Sequence, residues 1–303
     1  MAKASPDTAA LRGGPKRPGG GGGRGARLRR HSLRLLALLL LCTAALQLYW
    51  VARIGLMAVL APQSTSFQRS EAWRLLVEKH RLAWRQDWVD EGRISASLKR
   101  AVIASEDAGF VDHSGVEWDA LEQACEKNQR AEAVAARRNA QIDQRADPRL
   151  AASSAKGGSK NNAQATTPGK PAAPAQARIQ PKVVGGSTIS QQLAKNLFLS
   201  GERTALRKAQ EFVLTLTLEA LLSKRRILEI YLNSVEWGEG IFGAQAAAQR
   251  YFHTDAARLD ALSAARLAVM LPAPKRFEKN PGSAYVSGRA ATIAARMGGA
   301  ALP

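Results

Sequence analysis

Cysteine and histidine are scarce: two cysteines, Cys42 and Cys125, and four histidines are spread over 303 residues. Cys42 falls in an uncharged apolar stretch and Cys125 well beyond it, so no disulfide within one folded domain is available. A domain outside the cytoplasm would then rest on its core alone. Neither residue type occurs at a metal-binding spacing. No alternating apolar–polar run is long enough for a real sheet, which points to a mainly α fold. Acids are also few, 25 against 44 Lys and Arg, for a net charge of +19. Such an excess suggests nucleic acid until its location is read. Nine cations face Asp7 alone before Leu35, and eleven face three acids between Lys127 and Lys182, which leaves +3 for the remainder. A nucleic-acid face on the folded part is therefore not expected.

Long apolar runs are rare as well. Leu35 to Ala52 carries no charge, is mostly Leu and Ala, and contains Tyr49 and Trp50 at its end, rings suited to a headgroup boundary. Its length and the lack of a convincing small-residue cleavage site favour an uncleaved membrane anchor over a signal peptide. The arginines before it are expected to stay inside, leaving the bulk of the chain on the far side of the membrane. The expected organisation is a basic disordered cytoplasmic tail (1–34), a transmembrane anchor with a membrane-proximal segment (35–60), and one domain in two pieces (61–126 and 183–303). Between those pieces lies a disordered basic insertion (127–182), with a helical hairpin over Gln129 to Gln144 as the alternative.

The most informative stretch runs from Gly185 to Glu211, GGSTISQQLAKNLFLSGERTALRKAQE. Gly185 and Gly186 before Ser187 and Thr188 suggest a backbone-donor loop feeding a helix. Thr188 and Gln191 have capping-box spacing. Leu206, Ala209, Val213, Leu216 and Ala220 recur at steps of three and four and predict the apolar face of the next helix. Lys195, Arg203, Arg207 and Lys208 supply charge suited to a pyrophosphate, with guanidinium forks for bidentate contacts. Arg207 and Glu211 share a helix face at i, i+4. Upstream, Glu106 and Asp107 follow the apolar AVIAS run, where desolvation would raise a carboxyl pKa toward that of a general acid or base. His113 reads as structural.

Four motifs occur here in order: EDAGFVDHSG (106–115), GGSTISQQLAKNLF (185–198), RKAQE (207–211) and KRRILEIYLN (224–233). In that order they resemble the peptidoglycan glycosyltransferases, the polymerising domains of penicillin-binding proteins and their stand-alone, membrane-anchored relatives. GIFGAQAAAQRYF (240–252) and LPAPKRFEKNPGS (271–283) extend the likeness. The resemblance implies a lysozyme-like, two-lobed helical domain with a cleft, behind one N-terminal transmembrane helix. It implies polymerisation of lipid II with inversion at the anomeric carbon and release of undecaprenyl pyrophosphate. By position, Glu106 would be the general base and Glu211 the second important carboxylate. Ser187, Gln191, Gln192, Lys195, Asn196, Arg203, Arg207 and Lys208 would bind substrate. Implied partners are lipid II, the growing lipid-linked strand, the membrane of a bacterial cell and cell-wall synthesis or division proteins. No cofactor is demanded, and a divalent cation assisting the pyrophosphate stays open. The insertion at 127–182 departs from the family's short connection.

Two rivals remain at this point. A glycan hydrolase needs one acidic Glu in a cleft but has no use for the cations. A non-enzymatic scaffold has no use for the intact carboxylates. A transpeptidase domain is not expected in a chain of this length, and the S-x-x-K at Ser153 and Lys156 lacks its partner motifs.

Overall fold

The computed structural model describes residues 23–146, 186–199, 201 and 204–303. Two compact units divide the chain, one ending at Arg53 and the other running from Ile54 to Pro303. Helix α1, Gly23–Leu56, supplies the first unit. Its segment Arg27–Leu56 reaches a mean hydropathy of 2.1 in its best 18-residue window and is long and apolar enough to cross a membrane. Leu39, Leu41 and Leu48 on it are exposed, whereas a core helix would bury them. Ile54 and Met57, just past the unit boundary, are buried in the second unit, and the Met57 carbonyl accepts from Arg226 Nε at 2.8 Å.

The second unit is built from helices that start where the side chains supply caps. Thr65 and Gln68 form a capping box on α2 (Ser66–Lys79). Ser95 accepts from the Leu98 amide to start α3 (Ala96–Glu106). Thr188 caps α5 (Ile189–Phe198), Thr204 caps α6 (Ala205–Leu221) and Ser223 caps α7 (Lys224–Ser234). Each cap satisfies amides that a helix start leaves open, for about 1 kcal/mol. After α8 (Ala244–Phe252), helix α9 (Ala261–Met270) packs on α3 and on α11 (Ala284–Arg296). Buried Ala264, Ala265 and Ala268 leave room there for the α3 side chains Leu98 and Val102, which are fully buried. Each such Leu or Val contributes about 1.5–3 kcal/mol by leaving water. This core holds the C-terminal end of α3, and with it Glu106.

Several expectations are corrected. A small three-stranded sheet exists: β1 (Arg85–Gln86) runs parallel to β3 (Ile241–Phe242), which pairs antiparallel with β2 (Glu236–Gly238). Strands of two or three residues are too short for an alternation to be read. The chain reverses between β2 and β3 through Gly240 at φ 73°, where an added Cβ would lie 1.9 Å from the Ala83 carbonyl oxygen. Helix α4 (Trp118–Ala146) runs through the first twenty residues of the expected disordered insertion. Ala, Glu, Gln and Arg dominate there, all good helix formers, and Glu126 pairs with Arg130 at i, i+4. Residues 147–182 of that insertion, and 1–22 of the N-terminal tail, lie outside the described residues.

The predicted apolar face of α6 is also reversed. Leu206, Val213 and Leu216 are exposed, as are Ala209 and Ala220, and the buried residues are Glu211, Leu214, Thr215 and Leu218. Packing against α5 selects the Leu214–Leu218 stripe. It turns Glu211 inward, a result that a pattern counting only apolar positions cannot give.

Candidate active site

Asp107 and Gly115 join the first motif to the second. Asp107 is buried, and its Oδ2 accepts from the Ile189 amide at 2.9 Å, at the start of α5. Its Oδ1 lies 2.8 Å from His113 Nε2. His113 Nδ1 accepts from the Gly115 amide at 3.0 Å, so Nε2 carries the hydrogen donated to Asp107. The Thr188 hydroxyl donates to the Gly115 carbonyl at 2.6 Å. Gly115 itself sits at φ 87°, and a Cβ there would be 2.7 Å from Glu219 Cγ. His113 therefore has the structural role its sequence context suggests.

With α5 fixed in this way, Gln192 meets Glu106. Gln192 Nε2 donates to Glu106 Oε2 at 3.1 Å, and Gln192 Oε1 accepts from the Tyr231 hydroxyl at 3.0 Å. Tyr231 is fully buried, and its donated hydrogen settles which end of the amide faces the carboxylate. Burial raises the Glu106 pKa above the ordinary range. The Gln192 and Ser105 hydrogen bonds oppose this, and the charge of Asp107 adds to it. Burial likewise pushes the Tyr231 phenol well up, with Glu106 and Asp107 adding to it.

One helical turn after Gln192, Lys195 enters a cleft of about 580 Å³. Ser187, Gln192, Lys195, Asn196, Arg207, Lys208 and Glu211 line one part of it. Glu211 is buried between two cations: Arg207 Nη1 stands 3.3 Å from its Oε2, and Lys208 Nζ contacts its Oε1. Lys195 makes no ion pair among the described residues. The cleft walls desolvate its ammonium and lower its pKa; Glu211 opposes that shift, while Arg207 and Lys208 add to it. Three cations around one carboxylate leave an excess of positive charge facing the cleft.

The sequence of the second unit matches a family model described as Transglycosylase over residues 76–136 and 171–298. The chain belongs to the transglycosylase family. It is 46% identical over 259 residues to a biosynthetic peptidoglycan transglycosylase of Burkholderia thailandensis, covering 86% of this chain and 82% of that one. Relatives of the same name in Paraburkholderia phytofirmans (43% over 275 residues, 90% and 94% covered) and Herminiimonas arsenicoxydans (42% over 276 residues, 91% and 99% covered) span nearly their full lengths. The second unit accordingly has the lysozyme-like helical fold of the transglycosylases.

Not every expected site residue of this transglycosylase meets the cleft in the same way. Glu106 is not itself among the residues lining the cleft and adjoins it through Gln192. Gln191 is buried, and its Oε1 accepts from the Thr188 amide at 3.3 Å as half of the capping box; it lines an adjoining cavity of about 690 Å³ together with Ser187, Lys208 and Glu211. Arg203 lies outside the described residues. Asp107, which the sequence pairs with Glu106 as a candidate acid, and Tyr231, which it does not mark, have positioning roles that rest on contacts spanning 82 and 39 positions of sequence. The only sequence signal for Tyr231 is membership of the KRRILEIYLN motif. Glu236, from β2, is a further lining residue that sequence reasoning missed. Among the described residues no cluster of three or more His, Cys, Asp or Glu side chains is arranged to hold a metal ion.

Proposed function

We propose that this transglycosylase polymerises lipid II into linear glycan strands, releasing undecaprenyl pyrophosphate and inverting the anomeric carbon. Glu106 takes the proton from the 4-hydroxyl of the acceptor's N-acetylglucosamine. That oxygen attacks the anomeric carbon of the donor's N-acetylmuramic acid as the bond to the pyrophosphate breaks. The observation that carries this reading is the hydrogen bond by which Gln192, a residue of the cationic cleft, holds Glu106. A base needs a raised pKa and a fixed direction, and burial with the Gln192 contact supplies both. The leaving group develops negative charge, which Lys195, Arg207 and Lys208 are already aimed to meet; Arg203, outside the described residues, is a further cation of the same sequence segment. Burial lowers the Lys195 pKa and the charges of Arg207 and Lys208 add to that; an entering anion offsets the part that those two charges contribute. Glu211 keeps Arg207 and Lys208 in place while its own charge is offset by theirs. Ser187 and Asn196 line the donor side.

The polymerase belongs at the outer leaflet of the bacterial cytoplasmic membrane, with α1 as a single-pass anchor and its arginine-rich start inside. There, acceptor and donor are confined to two dimensions and held in one groove, which raises their effective concentration. The test is incubation of the detergent-solubilised chain with labelled lipid II and separation of the products by gel. Wild type is expected to make long polymer, and Glu106→Gln to slow it about a thousandfold, within the usual range for loss of a general base. Full-rate polymer from Glu106→Gln removes Glu106 as the base. Shortening of preformed strands replaces the polymerase with a hydrolase.

A further inference from the structure

One carboxyl group in the cleft is not accounted for by the proposed reaction. Glu236, the first residue of β2, lines the same cleft as Lys195 and Glu211, yet only 6% of it is exposed. Its Oε1 is buried and receives no hydrogen bond. The nearest cation, Lys275 Nζ on α10 (Pro274–Phe277), stands 3.6 Å away, and that ammonium is already hydrogen-bonded to Glu71 Oε1 at 2.6 Å. Glu71 is in turn held by Arg74. A carboxyl oxygen kept out of water with only a 3.6 Å ion pair to a shared ammonium, and no hydrogen bond, costs free energy unless a donor arrives.

The surroundings narrow the choice of partner. An anion would meet Glu236 and Glu71 together. A second cation would compete with Lys275 for the same oxygen. A neutral group with O–H or N–H donors meets neither objection, and Lys275 beside the carboxyl offers such a group a donor in return. Phe67, Leu271 and Pro274 line the same cleft and present apolar surface, suited to the C–H face of a pyranose ring. Resting on the polymerase reading above, we propose that Glu236 is a substrate-binding residue of the cleft, its carboxyl group holding a hydroxyl or acetamido N–H of a bound sugar. The cleft is then divided by charge: the α5–α6 wall takes the pyrophosphate, and the wall of β2, α2 and α10 takes neutral saccharide.

Charges facing Glu236 come from Glu71 on α2, Lys275 on α10 and Glu278 just after it. Burial, with Lys275 opposing and Glu71 and Glu278 adding, pushes the carboxyl pKa up to about 7. Near neutrality the group can therefore donate as well as accept.

The test measures KM and kcat on lipid II, and Tm, for the full-length wild type, Glu236→Leu and Glu236→Gln. Losing one hydrogen bond to a charged group should raise KM of Glu236→Leu about 10- to 30-fold with kcat little changed. Its Tm should be equal to wild type or higher, because an unpartnered acid has gone. Glu236→Gln, which keeps a donor and an acceptor, should stay within about threefold of the wild-type KM. It should also lose the change in KM that wild type shows between about pH 6 and 8, the window set by a carboxyl titrating in place. A wild-type KM in Glu236→Leu overturns the inference and leaves the polymerase reading standing. Loss of Tm and kcat together in both variants assigns Glu236 to the fold and also overturns it. A wild type that makes no polymer from lipid II removes the reading beneath it.

Discussion

At the scale of single residues, the proposed reaction puts the weight on how Glu106 is held. Tyr231 fixes the Gln192 amide, and Gln192 directs Glu106, so removing one hydroxyl two contacts away should be felt in turnover. Tyr231→Phe is expected to lower kcat about tenfold and to cost about 1 kcal/mol of stability, the worth of one neutral hydrogen bond. Steady-state kinetics beside a urea melt check both numbers. As the proposed base, Glu106 must be ionised to accept a proton, and its raised pKa is expected to move the acid limb of kcat/KM above the ordinary value of 4.5. A limb at that ordinary value would mean that another group titrates. The sequence displayed Glu106 and the cations because their types and order are distinctive. It could not display Tyr231 or Glu236, whose significance lies in what a distant helix brings beside them. Gln191 satisfied two readings at once, as half of a capping box and as a donor-site amide, and the structure assigns its oxygen to the first.

At the scale of elements, the fold is held by polar side chains that tie segments far apart in sequence. Asn233 on α7 is fully buried; its Oδ1 accepts from the Val89 amide at 2.9 Å, and its Nδ2 donates to the Val89 and Glu229 carbonyls, each at 2.9 Å. Asn233→Ala leaves both Val89 backbone groups buried without partners, a loss of about 3 kcal/mol that chemical denaturation would register. Asp107→Ala removes the acceptor for the Ile189 amide and the partner of His113, and should loosen the start of α5. Helix capping was legible at Thr188 because its signal lies within four residues. The buried face of α6 was not, because Leu206 and Val213 fit a helical stripe as well as Leu214 and Leu218 do, and only packing on α5 separates the two. The extent of α4 was missed because a charged, Ala-rich segment reads alike as a solvated helix or as a disordered tract.

At the scale of the molecule, two cuts and a pH dependence follow. Ile54 and Met57 are buried in the second unit, so a soluble version should begin at or before Ile54. Such a version is expected to keep the circular dichroism of the folded domain while polymerising lipid II in vesicles more slowly than the anchored chain. Equal rates would remove the anchor from the reaction. Glu236 ties stability to pH. Its folded pKa of about 7 lies above the unfolded value of 4.5, so its cost is absent below 4.5 and grows as pH rises through 7, up to about 3 kcal/mol. Glu236→Gln should therefore raise Tm at pH 8 and leave it unchanged at pH 4.5. The second cut concerns the span between α4 and α5. Asp107 grips Ile189 and Thr188 grips Gly115 directly, so the first and second motifs are fastened to each other rather than spaced by the chain between them. The closure cost of that chain grows only slowly with its length. Residues 147–170, ahead of the segment where the family match resumes, are then the place to splice in a fluorescent reporter or a purification handle, since the clasp keeps the two motifs in register whatever is threaded between them.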